Sequence, residues 1–192
     1  MARALLVIDV QNIYTDKNSE LYCKDSAKTV GRINDLIARF ESEKETIVYV
    51  RHVHKKDGSD LGRMFDYLGE AEDFNFKEGT SDVKYDSRLK LTKKRLELTK
   101  NRYSAFAGTS LEAQLRKASI DTVVICGFMS NFCCESTARE AHDKDYYVDY
   151  IVDATGTPGT DNFDEKALRK SIADVMVAGI ARVSTTKNFL KK

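Results

Sequence analysis

The apolar run Thr122-Val123-Val124-Ile125-Cys126 decides the fold class of this chain. Its apolar character is continuous, whereas a strand with one face in water alternates, so we expect a strand that is covered on both faces. Further segments of strand length recur along the sequence, the weakest at 96–98: Ala4-Leu5-Leu6-Val7-Ile8, Thr46-Ile47-Val48-Tyr49-Val50, Leu96-Glu97-Leu98 and residues 147–152 and 180–184.

Helical periodicity separates these strands. A first helix is predicted to begin at Ser26, with four apolar residues on one face: Val30, Ile33, Ile37 and Phe40. Residues 109–112 have the form of a capping box, and residues 163–178 predict a last helix that Gly179 closes. Because strands alternate with helices, we predict an α/β fold in three α/β/α layers, with a Rossmann-like, mostly parallel sheet of about six strands and helices on both faces.

The segment 54–88 interrupts this alternation. It is charged, it has only short helical stretches such as residues 64–67, and it contains four glycines: Gly58, Gly62, Gly69 and Gly79. We interpret it as a lid-like excursion over the sheet edge within a single domain of residues 1–192. We expect the excursion and the loop 155–162 to set substrate specificity, because loops carry much of the variation in binding sites.

Composition excludes several classes of partner. The 192 residues carry 31 Lys and Arg against 30 Asp and Glu, a net charge of +1 without a charged tail. Nucleic acid or an anionic membrane would not attract such a chain over distance, so we expect a small-molecule substrate. No segment approaches the roughly 20 apolar residues of a membrane span. The four cysteines form no Cys-x-x-Cys pair, and we expect a reducing, cytoplasmic location.

Three reactive side chains are predicted to meet at one edge of the sheet. Asp9 ends the first strand, Lys100 follows the strand at 96–98, and Cys133 follows the strand at 122–126 by one short turn. In open parallel sheets, ligands collect beyond the carboxyl ends of the strands. Each residue alone has an ordinary structural interpretation, but their coincidence at one edge favours a reactive site.

The expected chemistry of this edge is nucleophilic. A helix that begins at Cys133, together with a nearby lysine, would favour the thiolate over the thiol. The carboxylate of Asp9 would accept the thiol proton and return it to a leaving group. The backbone N–H groups around residues 129–133 would hold a developing oxyanion. Cys134 is expected to point away, since one helical residue turns the side chain by about 100°.

Three segments of the sequence resemble the isochorismatase-like superfamily of cysteine hydrolases. They are residues 6–12 (LVIDVQN), 99–106 (TKNRYSAF) and 127–141 (GFMSNFCCESTAREA), and the resemblance covers essentially the whole chain. It implies that Asp9 is the acid and base, Lys100 the orienting cation and Cys133 the nucleophile. It also implies a cis peptide between Phe128 and Met129 that aims the Met129 N–H, with that of Cys133, at the oxyanion. Family members commonly form oligomers, so we expect a homo-oligomer.

The segment Arg51-His52-Val53-His54 departs from one branch of this superfamily. Nicotinamidases carry a metal site on an Asp-x-His segment after the second strand, and here His52 stands in place of the Asp. Two histidines at i and i+2 of a strand share a face, but the sequence offers no obvious third ligand. We therefore expect no metal or other cofactor, and His52, Tyr14 and Tyr103 are the candidate substrate contacts.

Three functions are compatible with this sequence. The leading hypothesis is a metal-independent amidohydrolase that cleaves a small amide or carbamoyl C–N bond through a Cys133 thioester. The second is a vinyl ether hydrolase that releases pyruvate with Asp9 as the acid, because residues 100–106 are closest to isochorismatases. The resemblance implies, however, that those enzymes have Gly at the position that Cys133 occupies here. The third is a binding protein with an inactive site. The sequence argues against this hypothesis, because all three reactive positions are filled.

Overall fold

A computed structural model describes residues 2–66 and 74–191. Within them, six strands form one sheet in the order β3-β2-β1-β4-β5-β6. All neighbouring strands run parallel. The strands are β1 (Arg3–Ile8), β2 (Thr46–His52), β3 (Leu96–Lys100), β4 (Thr122–Phe128), β5 (Tyr147–Gly156) and β6 (Arg182–Ser184). The predicted α/β fold is confirmed, including the weak strand at 96–98.

Helices cover both faces of the sheet, as predicted. They are α1 (Asn12–Thr15), α2 (Ser26–Ser42), α3 (Leu111–Lys117), α4 (Glu135–Asp143), α5 (Glu165–Val177) and α6 (Thr186–Phe189), and a π-helical turn at Ser130–Cys134 leads into α4. Apolar residues of α2 and α6 pack in one buried cluster. Those of α3, α4 and α5 pack in a second cluster. The sheet lies between the two clusters because its strands are apolar on both faces.

Two predicted helix ends are wrong in detail. Ser110 is the N-cap residue of α3, and its side chain makes no capping hydrogen bond. The hydroxyl of Thr109 instead accepts the N–H of Leu111 at 3.1 Å and donates to the carbonyl of Ala105, so no capping box forms. The helix α5 begins only at Glu165, after the capping carboxylate of Asp164, and α6 follows it as the last helix.

The order of the strands opens a crevice between β1 and β4. From β1 the chain first adds β2 and β3 on one side and later β4, β5 and β6 on the other. Such a switch point is where open α/β sheets bind ligands. Gly127 permits the close contact of the two strands there, since a Cβ at this residue would lie 1.9 Å from the carbonyl oxygen of Ile8.

The described parts of the excursion, residues 54–66 and 74–88, pack against the carboxyl end of the sheet. Residues 82–86 of the excursion form backbone hydrogen bonds with the segment after β1, for example from the Asn12 N–H to the Lys84 carbonyl at 2.9 Å. Several of its apolar residues join the α2 cluster: Leu61, Phe65, Phe74, Phe76 and Val83. Its motion as a lid stays a prediction, and the helical stretch predicted at 64–67 extends beyond the described residues.

None of the helices in the described part of the chain combines the length and the apolar character that crossing a membrane requires.

Candidate active site

Asp9 lies at the end of β1 in a constrained backbone conformation. Its φ angle is +50°, a region that non-glycine residues seldom occupy and that is found more often at functional sites. The residue is fully buried, and its Oδ1 atom has no hydrogen-bond partner among the described residues. A buried carboxylate oxygen without a partner is costly, which indicates that a ligand or a proton is meant to meet it.

Lys100 connects the other two reactive groups. As the last residue of β3 it lies next to His52 of β2 in the parallel register. Its buried ammonium lies 2.8 Å from Asp9 Oδ2 and donates a hydrogen bond to Cys133 Sγ at 3.2 Å. A third hydrogen bond, to the carbonyl of Arg102 at 3.0 Å, fixes its position. One cation therefore contacts both a carboxylate and a thiol.

Cys133 lies in the π-helical turn that follows β4. Its carbonyl accepts a hydrogen bond from the Thr137 hydroxyl at 2.6 Å, which holds the turn against α4. Such π-helical turns are found frequently at functional sites. Cys133 is 1% exposed, and the neighbouring Cys134 is fully buried in the α3–α4 cluster. Of the two, Cys133 is the one that Lys100 contacts.

Burial and charge pull the pKa values of these groups in opposite directions. Burial raises the pKa of Asp9, and the attraction of Lys100 only partly offsets that rise. Burial alone would lower the pKa of Lys100, but Asp9 and Cys133 outweigh it, so the pKa is raised and the ammonium stays charged. The pair is thus an ammonium beside a carboxyl group that binds protons more readily than an exposed one.

The expectation that Cys133 is ionised in the free protein is wrong. Burial, opposed by Lys100 and assisted by the Asp9 carboxylate, raises the pKa of the thiol to about 12. The helix start and the lysine were the signals for a thiolate, and the desolvation of a fully covered sulfur outweighs both. Burial therefore favours the protonated thiol of Cys133 in the free protein.

The peptide between Phe128 and Met129 is cis, in agreement with the resemblance. The Met129 carbonyl accepts the N–H groups of Phe132 and Cys134 at 3.2 and 3.0 Å, which closes the turn around Cys133. The assignment of the Met129 and Cys133 N–H groups to an oxyanion stays a prediction.

The candidate substrate contacts occupy different depths. Tyr14 is buried, and its ring stacks on that of Phe128, the last residue of β4, at 5.5 Å between centroids. Tyr103 is 38% exposed and packs against the 39% exposed Phe132 at 5.0 Å between ring centroids, at the outer side of Cys133. His52 is fully buried, and one of its ring nitrogens lies within 4.8 Å of both an Asp9 oxygen and Cys133 Sγ.

The histidine pair does not fit a metal site in the described residues. The Nε2 atoms of His52 and His54 are 3.0 Å apart, but no third carboxylate, thiol or imidazole of the described residues converges on the pair, and Asp60 lies 3.5 Å from the opposite ring nitrogen of His54. Within residues 2–66 and 74–191, the one set of three potential ligands that converges is Asp9, His52 and Cys133. Two of these three already contact Lys100, whereas zinc needs at least three free protein ligands.

Sequence reasoning missed the residues that hold His52. The Gln11 side chain donates to the His52 carbonyl at 3.0 Å and accepts its N–H at 2.8 Å. The Phe76 ring stacks on the His52 ring at 4.3 Å, and Asp60 contacts His54. Gln11 lies inside the segment 6–12, which gave a local signal, but Asp60 and Phe76 lie in the excursion and had none.

The chain is similar to known proteins in both sequence and fold. The sequence matches the Isochorismatase domain over residues 3–186. Nicotinamidase 3 of Arabidopsis thaliana is 32% identical over 160 residues, which span 80% of this chain and 73% of that protein. A cysteine hydrolase from Pseudomonas syringae superposes with a TM-score of 0.88 at 27% identity, covering 98% of this chain and 91% of that one. N-carbamoylsarcosine amidase from Thermoplasma acidophilum superposes with a TM-score of 0.78 at 26% identity, and the superposition covers 97% of each chain. This chain belongs to the isochorismatase family of hydrolases.

Proposed function

We propose that this hydrolase cleaves the C–N bond of a small amide or carbamoyl compound through a thioester on Cys133. The observation that carries the proposal is the position of the Lys100 ammonium, 2.8 Å from Asp9 Oδ2 and 3.2 Å from Cys133 Sγ. The names of two relatives, a nicotinamidase and an N-carbamoylsarcosine amidase, support an amide or carbamoyl substrate.

In the first half-reaction, the Cys133 sulfur forms a bond to the substrate carbonyl carbon while its proton passes to Asp9. Because the pKa of Cys133 is raised to about 12, this transfer accompanies the attack and does not precede it. The raised pKa of Asp9 makes its carboxylate a better proton acceptor than an exposed one. Asp9 then gives the proton to the departing nitrogen, the C–N bond breaks, and ammonia or an amine leaves.

In the second half-reaction, water attacks the thioester. Asp9 takes the proton of that water, the C–S bond breaks, and the sulfur recovers the proton as the acid product leaves. Lys100 stays charged throughout and stabilises whichever partner is anionic, the carboxylate or the sulfur. No group other than these three and the backbone N–H donors is needed for the proton transfers.

The thioester can be observed directly. Wild-type protein is mixed with a panel of small amides and ureas, quenched in acid and measured as intact mass, and peptide mapping then locates the adduct. We expect an added acyl or carbamoyl mass on Cys133 with at least one substrate. In Cys133→Ala the adduct and the turnover should both vanish, a loss of at least about 10³-fold in rate.

Cys134→Ala is the matched control, because both cysteines are buried and are neighbours in sequence. It removes a thiol that Lys100 does not contact and should keep both adduct and turnover. Full activity in Cys133→Ala, or an adduct on Cys134, would contradict the proposal. Thermal unfolding of both variants shows that the comparison is made between folded proteins.

A vinyl ether hydrolase remains the second candidate, because the raised pKa of Asp9 also suits a carboxylic acid that protonates an enol ether. That reaction needs no thiol, so it leaves the contact between Lys100 and Cys133 without a use. Pyruvate release from isochorismate that survives Cys133→Ala and is lost in Asp9→Asn would favour this candidate over the amidohydrolase.

A further inference from the structure

A line of three polar side chains leads from the excursion into the active site, and the reaction proposed above does not use it. Asp60 Oδ1 lies 3.5 Å from His54 Nδ1, and His54 Nε2 lies 3.0 Å from His52 Nε2. Both histidines are fully buried. A ring nitrogen of His52 lies within 4.8 Å of Asp9 and of Cys133 Sγ, so the line ends beside the nucleophile.

The structure fixes the His52 ring from several sides. Gln11 binds both backbone groups of His52, and Phe76 covers one face of its ring at 4.3 Å. The rings of Phe65 and Phe74 make edge contacts with His54. Aromatic walls of this kind exclude water and hold the two rings in one orientation, which is what a recognition element needs.

The contacts select one tautomer for each histidine. Burial lowers the pKa of both rings, so each is neutral and carries one proton. The geometry gives no hydrogen bond between His54 Nδ1 and Asp60, but the negative charge of that carboxylate, 3.5 Å away, favours the proton of His54 on Nδ1 and leaves its Nε2 an acceptor. The Nε2 of His52 must then donate to it. The remaining nitrogen of His52, Nδ1, has no proton and is a hydrogen-bond acceptor.

That acceptor is unsatisfied in the protein alone. His52 Nδ1 is buried and has no hydrogen-bond partner among the described residues. Leaving such an atom unpaired costs roughly 1–3 kcal/mol, so a native protein seldom keeps one without a use. We propose that His52 Nδ1 accepts a hydrogen bond from an N–H group of the substrate, next to the carbonyl that Cys133 attacks. This inference rests on the proposed amidohydrolase function and deepens it.

The inference favours substrates with an N–H group beside the carbonyl, and ureido compounds place that N–H on a different nitrogen from the one that leaves. In a ureido compound, R–NH–CO–NH₂, one nitrogen leaves with the proton of Asp9 and the other nitrogen stays attached and carries an N–H. His52 binds that second N–H. A compound with a methyl group on the same nitrogen lacks the donor and leaves Nδ1 unpaired. Sites built around a hydrogen bond reject analogues that lack it more strongly than apolar pockets reject a change of size.

N-carbamoylglycine and N-carbamoylsarcosine differ only in that methyl group and are the probes. We expect wild-type protein to favour N-carbamoylglycine by about tenfold or more in kcat/KM, the ratio that corresponds to about 1.4 kcal/mol. In His52→Phe the ratio should fall to near one. In His52→Asn, whose amide oxygen is also an acceptor, part of the preference should remain. A ratio that is unchanged in His52→Phe would overturn the inference.

Binding to Cys133→Ala protein, in which the substrate stays intact, separates this inference from the proposed reaction. With ¹⁵N-labelled histidine, NMR should show His52 Nδ1 and His54 Nε2 without protons. N-carbamoylglycine should shift the His52 Nδ1 resonance, and N-carbamoylsarcosine should not. A proton on Nδ1, the same shift with both probes, no shift with either, or a stoichiometric metal ion on the two rings in the purified wild type would each refute the role of His52.

The two hypotheses can therefore fail independently. If the resonance shifts but no adduct forms on Cys133, the recognition survives and the thioester mechanism does not. If the adduct forms but His52 Nδ1 does not respond, the thioester mechanism survives and the recognition does not. Thermal unfolding of the His52 variants shows whether a lost preference arises in folded protein, and the NMR result does not depend on those variants.

Discussion

The strand ends and the excursion contribute to the active site in different ways. Asp9 and Lys100 are the residues at or just after the ends of β1 and β3, and Cys133 lies in the turn after β4, so the register of a buried sheet fixes their distances. Asp60 and Phe76 come from a segment with little regular structure and act through His52 and His54. The sheet and the turn after β4 hold the three proposed reacting groups, and the excursion contacts the two histidines that lie beside them.

The difference shows how one fold can support several related reactions. A change at a strand end alters an ion pair or a nucleophile and removes the chemistry. We expect a change in the excursion to alter the contacts of His52 and His54 and to leave the reacting groups in place. Loops that vary on a constant sheet are the usual way in which α/β proteins change specificity.

The largest effect is expected where the ion pair at the strand ends is broken. Asp9→Asn keeps the shape of the side chain but cannot accept the thiol proton, so kcat/KM should fall by about 10³-fold. It also leaves the Lys100 ammonium buried without its counter-charge, which should lower the free energy of unfolding by about 3 kcal/mol. Single-turnover kinetics and urea unfolding measure the two effects.

Asp149→Asn is a control for this variant, because Asp149 pairs with Arg182 between β5 and β6, at 2.8 Å and away from Cys133. It should keep its activity. Equal losses of activity in Asp9→Asn and Asp149→Asn would mean that the sheet tolerates no change of charge, and would remove the special role of Asp9.

Two glycine variants, one in the sheet and one in the excursion, test how tightly each region is packed. Gly127→Ala places a Cβ 1.9 Å from the Ile8 carbonyl oxygen, at a φ of +124°, and should cost about 3 kcal/mol or more of stability. Gly79→Ala in the excursion has a similarly unfavourable φ of +87° but meets no atom within 4 Å. It should cost about 1–2 kcal/mol. Equal costs by denaturant unfolding would show that the strand contact at Gly127 is not tight.

The smallest effect is a dependence of stability on pH that originates in two buried histidines, His52 at the end of β2 and His54 at the start of the excursion. The pKa of His52 is lowered by burial and by Lys100, His54 and Arg102, and that of His54 by burial against the opposing effect of Asp60. Between these lowered values and about 6.5, the unfolded chain holds more protons. The stability is therefore complete above about pH 6.5 and is lost as the pH falls.

His52→Phe should reduce the loss of unfolding free energy between about pH 7 and about pH 5 by up to about 2 kcal/mol. Asp9, whose pKa is raised, acts in the opposite direction and is unchanged between the two proteins. His142→Phe is the control, because its side chain is 46% exposed on α4. If His52→Phe and His142→Phe had the same pH profile, His52 would not be neutral in the folded protein.

Local patterns predicted most of the framework. Apolar segments of strand length located all six strands, three of them as continuous apolar runs, and the rule about carboxyl ends brought Asp9, Lys100 and Cys133 to one edge. The details of helix starts were less accurate. The Thr109 hydroxyl both accepts the N–H of Leu111 and donates to the carbonyl of Ala105, and Ser110 is the N-cap residue of α3. Which of two neighbouring polar residues begins a helix depends on the packing of the whole segment.

The sequence by itself determined the order of strands and helices and the identity of the reactive groups, because both follow from the spacing of nearby residues. Only the tertiary structure showed that burial favours the protonated thiol of Cys133 and that the rings of His52 and His54 meet beside Asp9 and Cys133. Charge state and hydrogen-bond direction depend on which distant segments exclude water from a side chain. Those contacts, from Asp60 and Phe76 to the histidines, exist only after the chain has folded.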